Sequence, residues 1–165
     1  MKVTAKIAGA VLFFVLLLNS AYSQKTSFND AMKLAKESDK RVIIDFYTDW
    51  CGWCKKMDAE AYSNKDVKEI IEDNFVFVKM NAEGTAKVKY RGVDYTESEL
   101  AVNFQVTGYP TTVFLEPDGR VIEYKYDKVS MNNVPGYFKT KDFKKILEYI
   151  KDGKYKDTDL STIVN

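Results

Sequence analysis

The chain has only two cysteines, Cys51 and Cys54, with Gly52 and Trp53 between them. Attack on a disulfide needs a thiolate, and a free cysteine is mostly protonated at neutral pH. A helix N-terminus stabilises the anion through its unpaired N–H groups and partial positive charge. From Trp53 to Ala61 nothing breaks a helix, so Cys51 falls at its start and Cys54 one turn inside. That placement makes Cys51 the partly exposed, attacking sulfur and Cys54 the less accessible one that resolves a mixed disulfide. As a cross-link, the pair closes a loop of four residues, for which chain entropy gives about 2 kcal/mol before ring strain. Such a local staple does little for distant elements. It makes better sense as chemistry than as scaffolding.

Other uses of the pair fit less well. A zinc site takes about four ligands, and the chain has two cysteines and no histidine; no metal is expected. Covalent haem attachment needs a histidine directly after the second cysteine, where Lys55 stands. Without histidine, the common nucleophilic triads and histidine acid–base mechanisms are excluded. A redox-inactive module that uses the same fold for binding or assembly is the remaining rival. No cofactor is expected beyond the cysteine pair. With no further cysteine and no flavin motif, the dithiol must be restored by an upstream thiol electron donor, a membrane thiol carrier being one such source.

Several elements must position these residues. Ser27-Phe28-Asn29-Asp30 reads as a capping box, with Phe28, Ala31, Met32 and Ala35 as the apolar stripe of the helix that follows. Val42 to Tyr47 is a short β-branched and aromatic run of the kind found in a central buried strand. Asn64 caps a further helix carrying Val67, Ile70 and Ile71, and Phe75 to Met80 is a second strand. Residues 83–98 hold Gly84 and Gly92 and show no clear pattern. Glu99 to Phe104 reads as helix and Thr111 to Leu115 as strand. Glu116-Pro117-Asp118-Gly119 is a tight turn, and Arg120 to Tyr126 is the returning strand of a hairpin. Asn132 to Gly136 reads as loop. Lys141 to Lys151 is an amphipathic helix with Phe143, Ile146, Leu147 and Ile150 on one face, and the tail from Gly153 carries no pattern. Strands alternating with helices, then a late hairpin, predict an α/β fold with a mixed sheet covered on both faces.

The N-terminus reads as a leader. Lys2 and Lys6 precede an unbroken apolar run from Ile7 to Leu18, and small residues at Ala21 and Ser23 follow. This is the pattern of a secretory signal peptide over residues 1–23, too short to span a bilayer, which takes roughly 20 apolar residues. The expectation is one exported, periplasmic or extracellular domain over residues 24–165, its core at about 41–151, with no stable membrane insertion once the leader is gone. Losing Lys2 and Lys6 takes the formal net charge from +1 to −1. That balance gives no electrostatic footprint for nucleic acid.

Trp50-Cys51-Gly52-Trp53-Cys54-Lys55 resembles the Trp-Cys-Gly-Pro-Cys-Lys active site of the thioredoxin superfamily, with Trp53 in place of proline. Gly108-Tyr109-Pro110-Thr111 resembles the segment whose proline is cis and faces the two sulfurs. Asp45 matches the buried acid of that superfamily, and Lys79 the lysine near it. Trp50 to Met57, Tyr62-Ser63-Asn64, Val67 and Pro135-Gly136-Tyr137-Phe138 are similar to a group of exported bacterial thioredoxin-like interchange proteins. The resemblance covers roughly residues 41–150. It implies a thioredoxin-like fold with a central mixed sheet of about four strands flanked by helices. It also implies a redox-active disulfide between Cys51 and Cys54 that exchanges with disulfide-containing protein substrates, as reductase or, in the reverse direction, as oxidase or isomerase. Burial raises a carboxylate's pKa, which would suit Asp45 as proton acceptor for Cys54. Trp50, Gly52, Trp53, Tyr109, Pro110 and Thr111 would form the substrate surface, and two indoles flanking a cysteine suit a binding surface better than a core.

Overall fold

The strand that leads to the cysteines is buried on both faces. Within β1 (Arg41–Tyr47) every residue from Val42 to Phe46 is sealed from solvent, which explains a composition that is apolar but for Asp45. The computed structural model describes residues 26–164; the leader expected over residues 1–23 lies outside them. β1 runs parallel to β2 (Phe75–Asn81) on one side and antiparallel to β5 (Thr111–Leu115) on the other. A short outer strand, β8 (Val134–Pro135), completes a mixed four-stranded sheet in the order β2-β1-β5-β8.

Alternation along β1 divides the core in two. Val42, Ile44 and Phe46 pack with Phe28, Ala31 and Ala35 of α1 (Phe28–Ser38) and with Leu100 and Ala101 of α4 (Glu97–Asn103). Ile43 joins the other cluster with Met57 of α2 (Gly52–Met57), Val67 and Ile71 of α3 (Lys65–Asn74), and Phe143, Ile146, Leu147 and Ile150 of α5 (Thr140–Lys151). Asp45 shares the Ile43 side of the strand. Ser27 caps α1 by accepting from the Asp30 N–H at 3.1 Å. Its own hydroxyl donates to the Asp30 carboxylate, so the reciprocal bond runs through the hydroxyl rather than the backbone. Asn64 caps α3 as expected, accepting from the Asp66 and Val67 N–H groups.

Five expectations are corrected. The helix expected from Trp53 to Ala61 is α-helical only to Met57 and continues as a π-helical turn, Asp58–Tyr62, closed by the Ser63 N–H on the Asp58 carbonyl at 3.0 Å. The patternless stretch at 83–98 contains a hairpin, β3 (Lys87–Tyr90) and β4 (Val93–Thr96), and then the capping box of α4, which begins two residues before the expected Glu99. The strand returning after Gly119 touches β5 only at Val121 and Ile122. The chain then leaves the sheet, and β6 (Tyr124–Tyr126) pairs with β7 (Val129–Met131). Asp127 and Lys128 both take positive φ there, at 49° and 69°, the geometry of a two-residue hairpin turn. Asp159 holds that turn by accepting from both of their N–H groups. The place beside β5 is taken instead by β8, inside the segment read as loop. Finally, the tail after Gly153 forms two 3-10 turns and returns Leu160 and Val164 to the core.

Candidate active site

Antiparallel pairing of β1 with β5 sets the C-terminal end of one strand beside the N-terminal end of the other, Phe46 opposite Thr111. The loop carrying the cysteines and the loop carrying Pro110 therefore meet at one end of the sheet. An edge-to-face contact between Trp50 and Tyr109, ring centroids 5.8 Å apart, joins them. The Tyr109–Pro110 peptide bond is cis. The Pro110 carbonyl accepts from the Gly136 N–H at 2.8 Å, and the Thr111 hydroxyl donates to the Gly108 carbonyl at 2.8 Å.

Cys51 and Cys54 form a disulfide with their Cα atoms 5.3 Å apart. Cys51 is the N-cap of α2: its sulfur accepts from the Cys54 N–H at 3.0 Å. That places Cys51 at the helix start, as expected, where a negative sulfur is favoured. The expected difference in exposure is absent, because Cys51 is 4% exposed and Cys54 3%. The Cys51 sulfur sits over the first helical turn, where the Cys54 N–H meets it. Gly52 leaves open space where a side chain would stand.

The two indoles are outside the core. Trp50 is 68% and Trp53 57% exposed, and each is held by a partner the sequence did not single out. The Trp50 indole N–H donates to both oxygens of Glu83, at 3.1 Å each. The Trp53 ring lies 5.3 Å from that of Tyr137, with the Lys56 ammonium about 5 Å from both ring centres. Glu60 ties this group together, pairing with Lys56 and accepting from the Tyr137 hydroxyl. The cysteines thus sit between two braced aromatic walls. Glu83 was hidden in a stretch without periodicity; Tyr137 was visible only as part of a family-like motif.

Asp45, near the end of β1, is 1% exposed. It faces Lys79 across the β1–β2 register, at 3.6 Å, and Lys79 also makes a close ion pair with Asp58. Burial pushes the Asp45 carboxyl up from 3.8 to about 7, against the opposing pull of Lys79; the Asp58 charge adds to the rise. Asp58 stands four residues after Cys54, one helical turn, and that spacing was the available signal for it. Cys54, Asp58, Tyr62 and Lys79 line one groove of about 1130 Å³. Among the described residues no group of three or more histidine, cysteine or acidic side chains gathers that could hold a metal ion. Nor is any helix among them long and apolar enough to cross a membrane.

The mixed sheet, the cysteine pair at a helix start and the cis-proline loop beside it define a thioredoxin fold. The family model described as "Thioredoxin-like domain" matches residues 28–151, and the chain belongs to that family. Among curated proteins it is 31% identical over 108 residues to a protein disulfide-isomerase of Schizosaccharomyces pombe, covering 64% of this chain and 26% of that one. It is also 31% identical over 101 residues to the thiol:disulfide interchange protein DsbD of Salmonella typhi, covering 61% of this chain and 16% of that one. The chain thus spans only a fraction of the length of these curated relatives. Among solved structures, a thioredoxin-fold protein from Helicobacter pylori superposes with a TM-score of 0.60 at 25% identity, over 76% of this chain and 80% of that one.

Proposed function

We propose that this protein is a thiol–disulfide oxidoreductase that reduces protein disulfides outside the cytoplasm. The observation that carries this reading is the Cys51–Cys54 disulfide at the start of α2, its Cys51 sulfur receiving the Cys54 N–H. The names of the relatives, disulfide isomerases and an interchange protein, support the same chemistry.

In the dithiol form the Cys51 thiolate attacks a substrate disulfide and forms a mixed disulfide, releasing one substrate thiolate. The Cys54 thiol gives its proton to Asp45, and its sulfur then attacks Cys51. The Cys51–substrate bond breaks, the Cys51–Cys54 bond forms, and the second substrate sulfur leaves as thiolate and is protonated by water. Substrate gains two electrons and the cysteine pair loses two. A carboxyl with its midpoint near neutrality is suited to accept and return that proton, and Asp45 has one of about 7. Trp50, Gly52, Trp53 and the Tyr109 edge offer the exposed contact surface, with Pro110 and Thr111 shaping its floor.

An upstream thiol donor restores the dithiol, and a membrane thiol carrier is the source we favour. Export rests on the basic, apolar and small-residue pattern of residues 1–23, which would leave one domain from residue 24 onward. An insulin-reduction assay with dithiothreitol tests the reading: turnover that is lost in Cys51→Ser supports it. A wild-type protein that binds but never reduces insulin would point to the binding or assembly module instead.

A further inference from the structure

Asp45 stands in register between Lys79 of β2 and Thr112 of β5, so the three side chains project from one face of the sheet. Tyr62, the last residue of the π-helical turn, packs on that face. Its ring is wedged between Phe77, at 5.1 Å, and Phe143, at 5.0 Å. The Tyr62 hydroxyl is sealed from solvent without a hydrogen-bond partner among the described residues, and so is Asp45 Oδ1. One is a donor and the other an acceptor, and leaving both unmade in a dry interior is costly. The Asp45 charge acts directly on the Tyr62 phenol, and the Thr112 hydroxyl acts on it too. A hydrogen bond from the one to the other would satisfy both sealed atoms.

We propose that Tyr62 is a positioning residue for the resolving step: its O–H donates to Asp45 Oδ1 and holds that carboxylate ready to receive the Cys54 proton. The proposal rests on the reading of Asp45 as that acceptor. Burial and the Asp45 charge hold the Tyr62 phenol well above its ordinary range, so it lends a hydrogen bond and keeps its proton throughout the exchange. The π-helical turn supplies the geometry, since Asp58 at its start and Tyr62 at its end both act on Asp45. The titratable groups acting on Asp45 are Lys79 from β2 and Asp58 and Tyr62 from the turn; on the proposed mechanism Cys54 of α2 joins them once reduced. From β5 Asp45 meets Thr112, which does not ionise.

Tyr62→Phe keeps the ring between Phe77 and Phe143 and removes only the hydroxyl. A donor to the charged form lowers a carboxyl's midpoint. In the disulfide form, where neither cysteine titrates, carboxyl-carbon NMR of Tyr62→Phe should show the Asp45 midpoint raised by about one pH unit, a tenfold change. The pH profile of mixed-disulfide resolution should rise by the same amount, with the rate of Cys51 attack unchanged. A folded Tyr62→Phe protein whose Asp45 midpoint is unmoved or lowered overturns the proposal. Should that variant not fold, the wild type decides alone: a protected Tyr62 hydroxyl proton that shifts as Asp45 titrates supports the bond, and one indifferent to that titration overturns it. Asp45→Asn separates the two readings, because an unaltered resolution profile there removes the acceptor itself, and Tyr62's role with it.

Discussion

Cys51 and Cys54 differ by position on the helix rather than by exposure in the disulfide form, so their roles must be separated kinetically. Cys54→Ser should accumulate mixed disulfides with substrate, and Cys51→Ser should not; trapping through Cys54 in the reciprocal variant would reverse the assignment. Asp45 makes a second prediction. Its folded midpoint of about 7 lies above its ordinary 3.8, so between those values the native state keeps a proton that the unfolded state has lost. Stability therefore falls as pH rises from about 4 to about 7, and below about 4 the penalty vanishes. The shift corresponds to roughly 4 kcal/mol in full. Asp45→Asn should flatten this slope, read by chemical denaturation of the disulfide form across that range. Equal slopes in the two proteins would show that Asp45 titrates as an ordinary carboxyl.

At the scale of elements, the C-terminal tail holds the β6–β7 hairpin in place. Asp159 accepts from the turn residues Asp127 and Lys128 and also caps the last 3-10 turn through the Ser161 N–H. Leu160 beside it is 1% exposed and belongs to the cluster of α3 and α5. Leu160→Ala removes buried methyl groups and leaves a cavity, which should cost about 2–5 kcal/mol in denaturant unfolding. Amide exchange in β6 and β7 should speed up more than in β1. A loss below about 0.5 kcal/mol would mean that the tail is a surface appendage, since that is the range of substitutions away from structural features. Arg41 ties β1 to the end of α5 and to the tail: its guanidinium donates to the Ile150 and Lys151 carbonyls and the Tyr155 hydroxyl and pairs with Glu116.

For the whole molecule, the direction of electron flow is a matter of how strongly the dithiol form is stabilised. Strong oxidants pair a very low thiolate pKa with a stabilised reduced form. Here Gly52 and Trp53 stand between the cysteines, and neither can carry positive charge. Lys55 is solvated, where salt screens it. The potential should lie nearer to about −270 mV than to about −120 mV on the scale of known exchange proteins, a span of about 7 kcal/mol for two electrons. Equilibration against a glutathione series, followed by Trp50 and Trp53 fluorescence, measures it. A value above about −160 mV would place the protein among the oxidising members of that scale.

The local chemistry was legible in the chain. A Cys-x-x-Cys pair at a helix start, a β-branched central strand and a four-position apolar stripe in α5 each depend on residue type and short spacing, which sequence displays directly. The Cys51–Cys54 bond and the burial of Asp45 between Ile44 and Phe46 follow from those patterns. Strand partnership was not legible in the same way. Val134–Pro135 is too short to show alternation, and only the Phe46–Thr111 and Thr112–Val134 registers make it the fourth strand. The hairpin turns at Arg91-Gly92 and Asp127-Lys128 put non-glycine residues at positive φ, and the second of them is held by Asp159, far along the chain. The braces on the indoles and the ring of Lys79, Asp58, Tyr62 and Thr112 around Asp45 join residues from five separate elements. Such contacts come from the sheet register and the packing of α2 with its π-helical turn, and neither leaves a periodic trace in the sequence. Sequence determined which two sulfurs form the pair; tertiary structure decided what surrounds the buried Asp45 carboxyl.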